Sequence, residues 1–428
     1  MRKLEFIIGI IVLLVALMPL SMPVSDSLPA EAAGPPVPTP TEAPSLPPPQ
    51  EPPPVIDGHG TGFIPPTMDL SYITGQRMPD GSLVGESPPV GQPAAFDWRN
   101  PLNRVTSVKD QGNCGSCYAF AGIGNVESRV LIDTNTTPPP DPDYSENNAK
   151  ECNWRAMNST WNNSWGTCHG GNYYMLASLF SQKGIVNETD DPYQAFDVPC
   201  NSSCPYNRTL LDWRIISVNS IPNTTVLKNY IMNYGPVYTT LWADSSYGFD
   251  MSYDGSYTFN WTAPSSYVNH AVLIVGWSNT LPHLPGSPPG TFADGWIVKN
   301  SWGPAFGAGG YFYITYKSAN IGMWSSFMNG WQDYDNNGSI MYYDDDCWDQ
   351  SWGYSSTTAW GLCNFTPSSN TNATRVEFWT TDATSDVDIY IYDNFDGGEQ
   401  QSAVRSGEPA YQPTTGDILE HAKPAAKL

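Results

Sequence analysis

A cysteine at the start of a predicted helix is the residue of this chain best suited to chemistry. Cys117 ends the glycine-rich run QGNCGSC and is followed by the helix-forming run YAFAGIGNVESRVL. A thiol at a helix N-terminus lies in the positive end of the helix dipole, which favours the thiolate. Because a thiolate attacks carbonyl carbons, the sequence predicts acyl-transfer chemistry at Cys117.

Acyl transfer by a thiol also needs an acid–base group, a group that orients it and oxyanion donors. His270 lies in VNHAV, Asn300 and Trp302 lie in KNSWG, and Gln111 precedes the cysteine run. With the CGSCY signature, these segments resemble the papain-like cysteine peptidases. The resemblance implies that His270 is the general acid and base, that Asn300 orients its imidazole and that Trp302 packs over their contact. It also implies that Gln111 and the backbone N–H of Cys117 form the oxyanion hole.

The resemblance further implies a substrate-binding strand and a specificity pocket. A glycine pair after Cys168 matches the strand that pairs with the substrate backbone, where a missing side chain permits close approach. The next residues and the residue before Asn269 would border a pocket for an apolar or aromatic side chain. The predicted substrate-binding residues are Gly170, Gly171, Asn172, Tyr173, Val268 and Trp302.

The chain has eight cysteines, and the resemblance implies how most of them pair. If Cys117 is a free thiol, one other cysteine is left unpaired; Cys204 is left over or competes for Cys152. No CxxC…CxxC pattern suggests structural zinc, and no cofactor is implied. The expected disulfides are Cys114–Cys168, Cys152–Cys200 and, in the tail, Cys347–Cys363.

Charge and composition exclude one class of partner. The 428 residues contain 42 acidic and 19 basic side chains, for a net charge of −23. Nucleic-acid phosphates would repel such a surface, so no nucleic-acid partner is expected.

The N-terminus and the density of glycosylation motifs favour export. Residues 1–32 are predicted to be a signal peptide or a membrane anchor, because a basic pair precedes an apolar run at 6–20. We therefore expect a secreted or cell-surface glycoprotein. The Asn-x-Ser/Thr sites are Asn135, Asn158, Asn162, Asn187, Asn201, Asn207, Asn223, Asn260, Asn337, Asn364 and Asn372.

Two segments connect this leader to the predicted folded region. Residues 33–57 are proline-rich and predict an extended spacer. Residues 58–94 predict a short propeptide or a linker; they are too short and too rich in proline for a helical prodomain. The apolar island at 62–70 either lies extended across the cleft or belongs to a plain linker, and His59 is expected to be solvated.

Residues 95–332 are predicted to form the peptidase domain. A helix is expected from Cys117 to about Leu131, and residues 225–320 contain short β-rich runs. The predicted fold class is α+β: a two-lobed papain-like fold, with a helical lobe and a β-barrel-like lobe, followed by a smaller all-β accessory domain.

Residues 333–428 resemble, more weakly, the lectin-like β domain appended to some microbial papain-like peptidases. Alternating runs at 375–380 and 387–392 predict a hairpin, but from about residue 398 the strand pattern fades, so an incomplete or frayed domain is expected. An acidic turn mimics a calcium loop, although an interdomain turn is the alternative. A carbohydrate platform and a buried aromatic core are both open for the tryptophans of this region. The calcium candidates are Asp333, Asp335, Asn337 and Asp344, and the aromatic residues are Trp348, Trp352, Tyr354 and Trp360.

Together these patterns predict a secreted cysteine endopeptidase that hydrolyses protein or peptide substrates through an acyl-enzyme on Cys117. Endopeptidase is favoured because no His-His insertion of the kind found in carboxydipeptidases of the family is present. Two alternatives remain open: a glycan-binding adhesin with a non-catalytic peptidase-like domain, and a thiol transamidase.

Overall fold

The structure is a computed structural model of the whole chain. It describes residues 6–13, 54–66, 70–71, 74, 91–153, 167–288, 290–338, 358–365 and 386–392. The helices are α1 (Cys117–Asp133), α2 (Glu146–Glu151), α3 (Tyr173–Gln182) and α4 (Thr224–Tyr234), with 3₁₀ turns at Thr167–His169, Ser245–Tyr247 and Ser318–Asn320. The strands are β1 (Phe6–Leu13), β2 (Val55–Ile56), β3 (His59–Gly60), β4 (Ala95–Asp97), β5 (Ile185–Val186), β6 (Tyr206–Ile215), β7 (Val237–Leu241), β8 (His270–Leu281), β9 (Ala293–Lys299), β10 (Tyr311–Thr315), β11 (Met323–Asp333), β12 (Thr358–Phe365) and β13 (Asp386–Tyr392).

The larger of two compact units, residues 47–347, has a helical part and a sheet part. One buried cluster joins α1 and α3 through residues such as Ile123, Leu176 and Phe180. A second cluster lies within the sheet and against α4, around Trp277 and Phe312. The predicted α+β fold class is therefore confirmed.

The sheet places two of the predicted site segments side by side. Its strand order is β10-β9-β8-β7-β11-β6-β5, and β4 also pairs with β8. All pairs are antiparallel, with Leu273 of β8 opposite Lys299 at the end of β9. His270 begins β8 opposite Leu241 of β7. The start of β8 and the end of β9 therefore meet at one edge of the sheet, which brings His270 next to Asn300.

Helix α1 begins at Cys117, as the sequence predicts, and ends at Asp133. It is buried along most of its length, because its small and apolar residues let it lie against strand β8. On another face α1 packs closely against α3, since a Cβ on Gly122 would come within 2.3 Å of Leu176 Cδ1. The helix thus holds the cysteine at a fixed depth inside the molecule.

The β-rich expectation for residues 225–320 is wrong at its start. Residues Thr224–Tyr234 form α4, which begins after Asn223 and ends before Gly235. The Asn223 side chain caps the helix by accepting the Thr225 N–H at 2.9 Å, and Gly235 takes a φ of 116°. Short β runs do follow at β7, β8, β9 and β10. Strands β6 and β11 were not predicted.

The two disulfides implied by the resemblance are confirmed: Cys114–Cys168 and Cys152–Cys200. Among the described cysteines outside them, Cys117 and Cys204 are free and buried. The third expected pair involves Cys347, which lies outside the described residues.

The smaller compact unit comprises residues 1–46 and 348–428. Its described part is a three-stranded antiparallel sheet in which β1 lies between β12 and β13. The predicted run at 387–392 matches β13, whereas its expected partner at 375–380 and the aromatic residues 348, 352 and 354 lie outside the described residues. Across the described part of the chain, no helix has the length and hydropathy needed to cross a bilayer.

Asn125 joins α1 to the residue before β7 and to β11, and it provides a test of this packing. Its Nδ2 donates to Pro236 O at 2.6 Å, and its Oδ1 accepts the Met328 N–H at 2.7 Å. We predict that Asn125→Ala lowers the free energy of unfolding by about 2 to 4 kcal/mol, because two buried backbone groups lose a partner. Urea unfolding measures the change. The exposed Asn219→Ala is the control, and equal stability of the two variants would contradict the prediction.

Candidate active site

Cys117 lies at the N-terminus of α1 and is fully buried. Its Sγ accepts a hydrogen bond from the Ala271 N–H at 3.3 Å. Since Ala271 follows His270, this contact fixes the thiol against the start of β8. The structure therefore brings together the cysteine and histidine that lie far apart in the sequence.

His270 and Asn300 form a direct hydrogen bond of 2.8 Å between Nε2 and Oδ1. Asn300 Oδ1 also accepts the Ser301 N–H at 2.9 Å, which identifies this atom as the oxygen of the amide. His270 Nε2 must then carry the hydrogen. In the neutral imidazole this leaves the Nδ1 lone pair free to accept a proton, and among the described residues Nδ1 has no hydrogen-bond partner.

Trp302 covers the His270–Asn300 pair. Its ring is fully buried, and its centroid lies 5.1 Å from that of His270. Phe249 packs edge-on against Trp302 at 5.2 Å and lies 6.3 Å from His270. These rings keep water from the hydrogen bond, so the imidazole is held in one tautomer in an apolar setting.

Gln111 is buried, and contacts at both ends fix its side-chain amide. Its Oε1 accepts a hydrogen bond from Ser301 Oγ at 2.6 Å. Its Nε2 donates to Cys114 O and to Gly60 O, both at 2.8 Å. The Nε2 group therefore already holds a carbonyl oxygen. Tyr193, which sequence reasoning missed, supports this loop by donating to Gln111 O at 2.8 Å.

The predicted glycine pair lines an extended segment of the same chain. Gly171 donates its N–H to Gly62 O at 2.8 Å and accepts the Ile64 N–H at 3.0 Å, in a parallel bridge with Phe63. Asn172 Nδ2 adds a bond to Ile64 O at 3.1 Å while Oδ1 caps α3. A Cβ on Gly170 would lie 2.3 Å from Gly62 O, so only glycine permits this approach.

Phe63 fills an apolar site beside the predicted pocket residues. Its side chain is 5 % exposed and belongs to the same buried cluster as Tyr173 and Val268. The ring of Trp324, a residue that sequence reasoning missed, lies 5.9 Å from that of Phe63. Trp324 has a φ of 52°, a value rare for a bulky side chain. An aromatic ring thus occupies the place expected for a substrate side chain.

The segment that carries Phe63 also covers the cysteine. The Gly62 and Phe63 N–H groups both donate to Asn269 O at 2.9 Å, and the Gly60 N–H donates to Gly112 O at 2.9 Å. A Cβ on Gly62 would lie 1.9 Å from Gly115 O. The apolar island therefore begins against the cysteine loop in extended form, held by its backbone.

His59 was expected to be solvated, and this expectation is wrong. Its side chain is 13 % exposed, and Nε2 lies 3.3 Å from Asp110 Oδ1. Its ring stacks on Trp302 at 5.6 Å. The short hairpin of β2 and β3 presents His59 to the site, and a glycine-rich setting in the sequence gives no signal of such a contact.

Burial determines the protonation states of Cys117 and His270 in the covered site. Burial raises the pKa of the Cys117 thiol to about 12, opposed by the N–H groups of Ala271, Gly62, Tyr118 and Cys117. Burial lowers the pKa of His270 to about 4, although its bond to Asn300 favours the charged form. Both shifts favour the neutral thiol and the neutral imidazole.

The turn proposed as a calcium loop is closed by its own hydrogen bonds. Asp335 Oδ1 accepts the Asn337 N–H at 2.8 Å, and Asp333 pairs with Arg208. Asp344 lies outside the described residues. Within the described residues, no group of three or more His, Cys, Asp or Glu side chains could hold a metal ion.

Thiol alkylation tests the covered state. We predict that Cys117 of the native full chain reacts with iodoacetamide at pH 7 at least ~100-fold more slowly than in the urea-unfolded chain, because burial and the raised pKa remove the thiolate. Peptide mapping by mass spectrometry separates Cys117 from Cys204. A native rate within about tenfold of the unfolded rate would contradict this description.

Comparison with known proteins identifies the family. A family model described as papain family cysteine protease matches residues 92–330, more than half of the chain. Mouse Cathepsin J is 32% identical over 229 residues, which are 53% of this chain and 61% of that protein. Cysteine proteinase 1 of Dictyostelium discoideum is 32% identical over 231 residues, 52% of this chain and 60% of that protein. The chain thus spans about three fifths of the length of these curated relatives.

A solved structure agrees with the sequence relatives. The digestive procathepsin L2 proteinase from the larval midgut of Tenebrio molitor has a TM-score of 0.51 and 28% identity, covering 64% of this chain and 79% of that one. The papain-like fold predicted from the motifs is confirmed. This chain belongs to the papain family of cysteine proteases.

Proposed function

We propose that this protein is a cysteine endopeptidase that hydrolyses protein or peptide substrates. The observation that carries the proposal is one constellation: Cys117 at a helix N-terminus, held against the strand that begins with His270, whose Nε2 is fixed by Asn300 at 2.8 Å. Such an arrangement can generate a thiolate and deliver a proton to a leaving group.

In the acylation step, the thiol proton passes to His270 Nδ1, and Cys117 Sγ attacks the carbonyl carbon of the scissile bond. Gln111 Nε2 and the backbone N–H of Cys117 hold the oxygen that becomes negative. His270 Nδ1–H then protonates the leaving nitrogen as the C–N bond breaks. Asn300 keeps the imidazole in the orientation that both transfers require.

In the deacylation step, His270 Nδ1 removes a proton from water, which attacks the thioester carbon. The C–S bond breaks, the carboxylic acid product leaves, and the Cys117 thiolate is regenerated beside the imidazolium. No external oxidant or reductant is needed.

We also infer that residues 58–94 act as a propeptide. The support is the set of backbone hydrogen bonds that His59–Ile64 makes with the site residues and the fully buried state of Cys117. Gly60 O accepts the hydrogen bond from Gln111 Nε2, the proposed oxyanion donor. Phe63 occupies the apolar site beside Tyr173 and Val268. A substrate needs both places, so the segment must leave before hydrolysis.

We further propose that the protein acts outside the cell. Two disulfides in the peptidase unit and the many Asn-x-Ser/Thr sites support an oxidising, glycosylating environment. The basic pair at residues 2–3 and the apolar run at 6–20 support an export signal or anchor, and residues 6–13 of that run also form strand β1 between β12 and β13.

An epoxysuccinyl thiol-protease probe tests the proposed chemistry. A chain with site-specific protease sequences inserted within residues 33–50 and within residues 76–86 is cut at both places in its folded state to release the segment. We expect a single adduct on Cys117 and cleavage of casein, with both lost in Cys117→Ala.

Two other outcomes of this test favour the alternatives. The absence of an adduct from correctly folded, cut protein would overturn the peptidase proposal in favour of a binding protein. Transfer of the acyl group to an added amine, with little hydrolysis, would indicate a transamidase.

The substitution Gly62→Ala, which adds one methyl group, tests the propeptide proposal. We predict that Gly62→Ala in the uncut chain raises the rate of Cys117 alkylation at pH 7 by at least ~30-fold, because its Cβ would lie 1.9 Å from Gly115 O and the segment cannot dock. Gly58→Asn is the matched control, since position 58 is open and asparagine tolerates its φ of 80°. If Gly62→Ala alkylates like the parent chain, the segment does not control access.

A further inference from the structure

A network of buried charges lies beneath the site. Lys299 and Glu127 are nearly inaccessible, and the Lys109 side chain is only 23 % exposed. Burial lowers the pKa of Lys299, while Glu127 opposes that shift. Burying ammonium and carboxylate groups is costly unless each finds partners in good geometry. Their presence here therefore demands a structural or functional reason.

A threonine hydroxyl links the two buried charges. Lys299 Nζ donates to Thr106 Oγ1 at 3.1 Å, and Thr106 Oγ1 donates to Glu127 Oε2 at 2.5 Å. Glu127 Oε1 accepts from Lys109 Nζ at 3.1 Å and from the Tyr144 N–H at 3.2 Å. Lys299, Thr106, Glu127 and Lys109 thus form one continuous chain of hydrogen bonds.

Carboxylates on the far side complete the network. Lys109 Nζ reaches Glu146 Oε1 at 2.8 Å and Asp143 Oδ1 at 2.7 Å. Burial raises the pKa of Glu146 to about 8, although Lys109 opposes that rise. Lys109 is therefore held by groups from α1, from α2 and from the segment before α2.

Lys299, Glu127 and Lys109 each lie on a segment that carries a predicted catalytic residue. Lys299 immediately precedes Asn300, and Glu127 lies on α1, which begins at Cys117. Lys109 lies just before Gln111 on the same loop, and its carbonyl accepts the Gly303 N–H at 3.1 Å. Three segments from distant parts of the chain are thus cross-linked beneath the site.

We propose that Lys299, Thr106 and Glu127 are positioning residues that hold the segments of Asn300, Cys117 and Gln111 in one mutual arrangement. They act through Asn300 and α1 rather than by touching substrate, because they lie behind these segments. The inference rests on the proposed peptidase function, which it deepens by naming what fixes the geometry of the acid–base pair.

Thr106→Val is the sharpest test, because it removes the linking hydroxyl at nearly constant shape. ¹⁵N-histidine spectra of the full chain report the tautomer of His270, assigned by comparison with His270→Ala. We expect the parent chain to show the Nε2–H tautomer, and Thr106→Val to show a mixture of tautomers. Thr106→Ser, which keeps the hydroxyl, should restore the parent spectrum, and the exposed Thr291→Val should leave it unchanged.

Kinetics in the Gly62→Ala background give a second readout. We expect Thr106→Val to lower kcat by about 10- to 100-fold with KM within about twofold of the parent, since misplacement affects the chemical steps more than binding. Thr106→Ser should recover most of kcat. If Thr106→Val does not fold, Glu127→Gln replaces it with the same expectations.

The two readouts separate failure of this inference from failure of the proposed function. If neither the cut chain nor the Gly62→Ala chain hydrolyses casein while Thr106→Val still changes the His270 tautomer, the network is a positioning device and the peptidase proposal fails. If Thr106→Val lowers the urea midpoint but leaves both the His270 signal and kcat unchanged, the network only stabilises the fold, and this inference is overturned.

Discussion

The hydrogen bond between His270 Nε2 and Asn300 Oδ1 is the constraint around which the larger unit is organised. It requires the first residue of β8 and the residue after β9 to lie at the same edge of one sheet, and the antiparallel register of these strands satisfies that requirement. It also requires an apolar cover, which Trp302 and Phe249 provide. Because a hydrogen bond shielded from water is stronger and better aligned, the cover and the register serve the same contact.

The residues that make and surround this hydrogen bond are the ones that the sequence predicts best. Cys117, His270, Asn300 and Gln111 stand in short motifs whose neighbours are fixed by local chemistry, and the structure brings all four together. Helix α1 is predictable because a glycine-rich turn precedes a long run of small and apolar residues. Here local sequence and tertiary packing agree, so local reasoning suffices.

The features that were missed depend on contacts between distant residues. Lys299 looks like an ordinary surface lysine in sequence, and only the fold reveals that Thr106 and Glu127 surround it. His59 stands among glycines, yet it stacks on Trp302 because a two-residue-per-strand hairpin turns it inward. Helix α4 was hidden because its buried residues Leu227, Tyr230 and Ile231 include a β-branched and an aromatic side chain, which also suit strands.

Because His59–Ile64 docks on the unit to which it is covalently joined, its occupancy of the cleft does not depend on the protein concentration. The segment is covalently joined to the unit that it covers, so its local concentration at the cleft is on the order of millimolar. Its occupancy is therefore independent of how dilute the protein is. Cuts on both sides of the segment, one before Val55 and one between Ile64 and Ala95, would turn this intramolecular contact into a bimolecular one, and dilution alone would then empty the cleft. Few of the docked contacts are ionic, so the salt concentration should matter far less than the volume into which the cut protein is released.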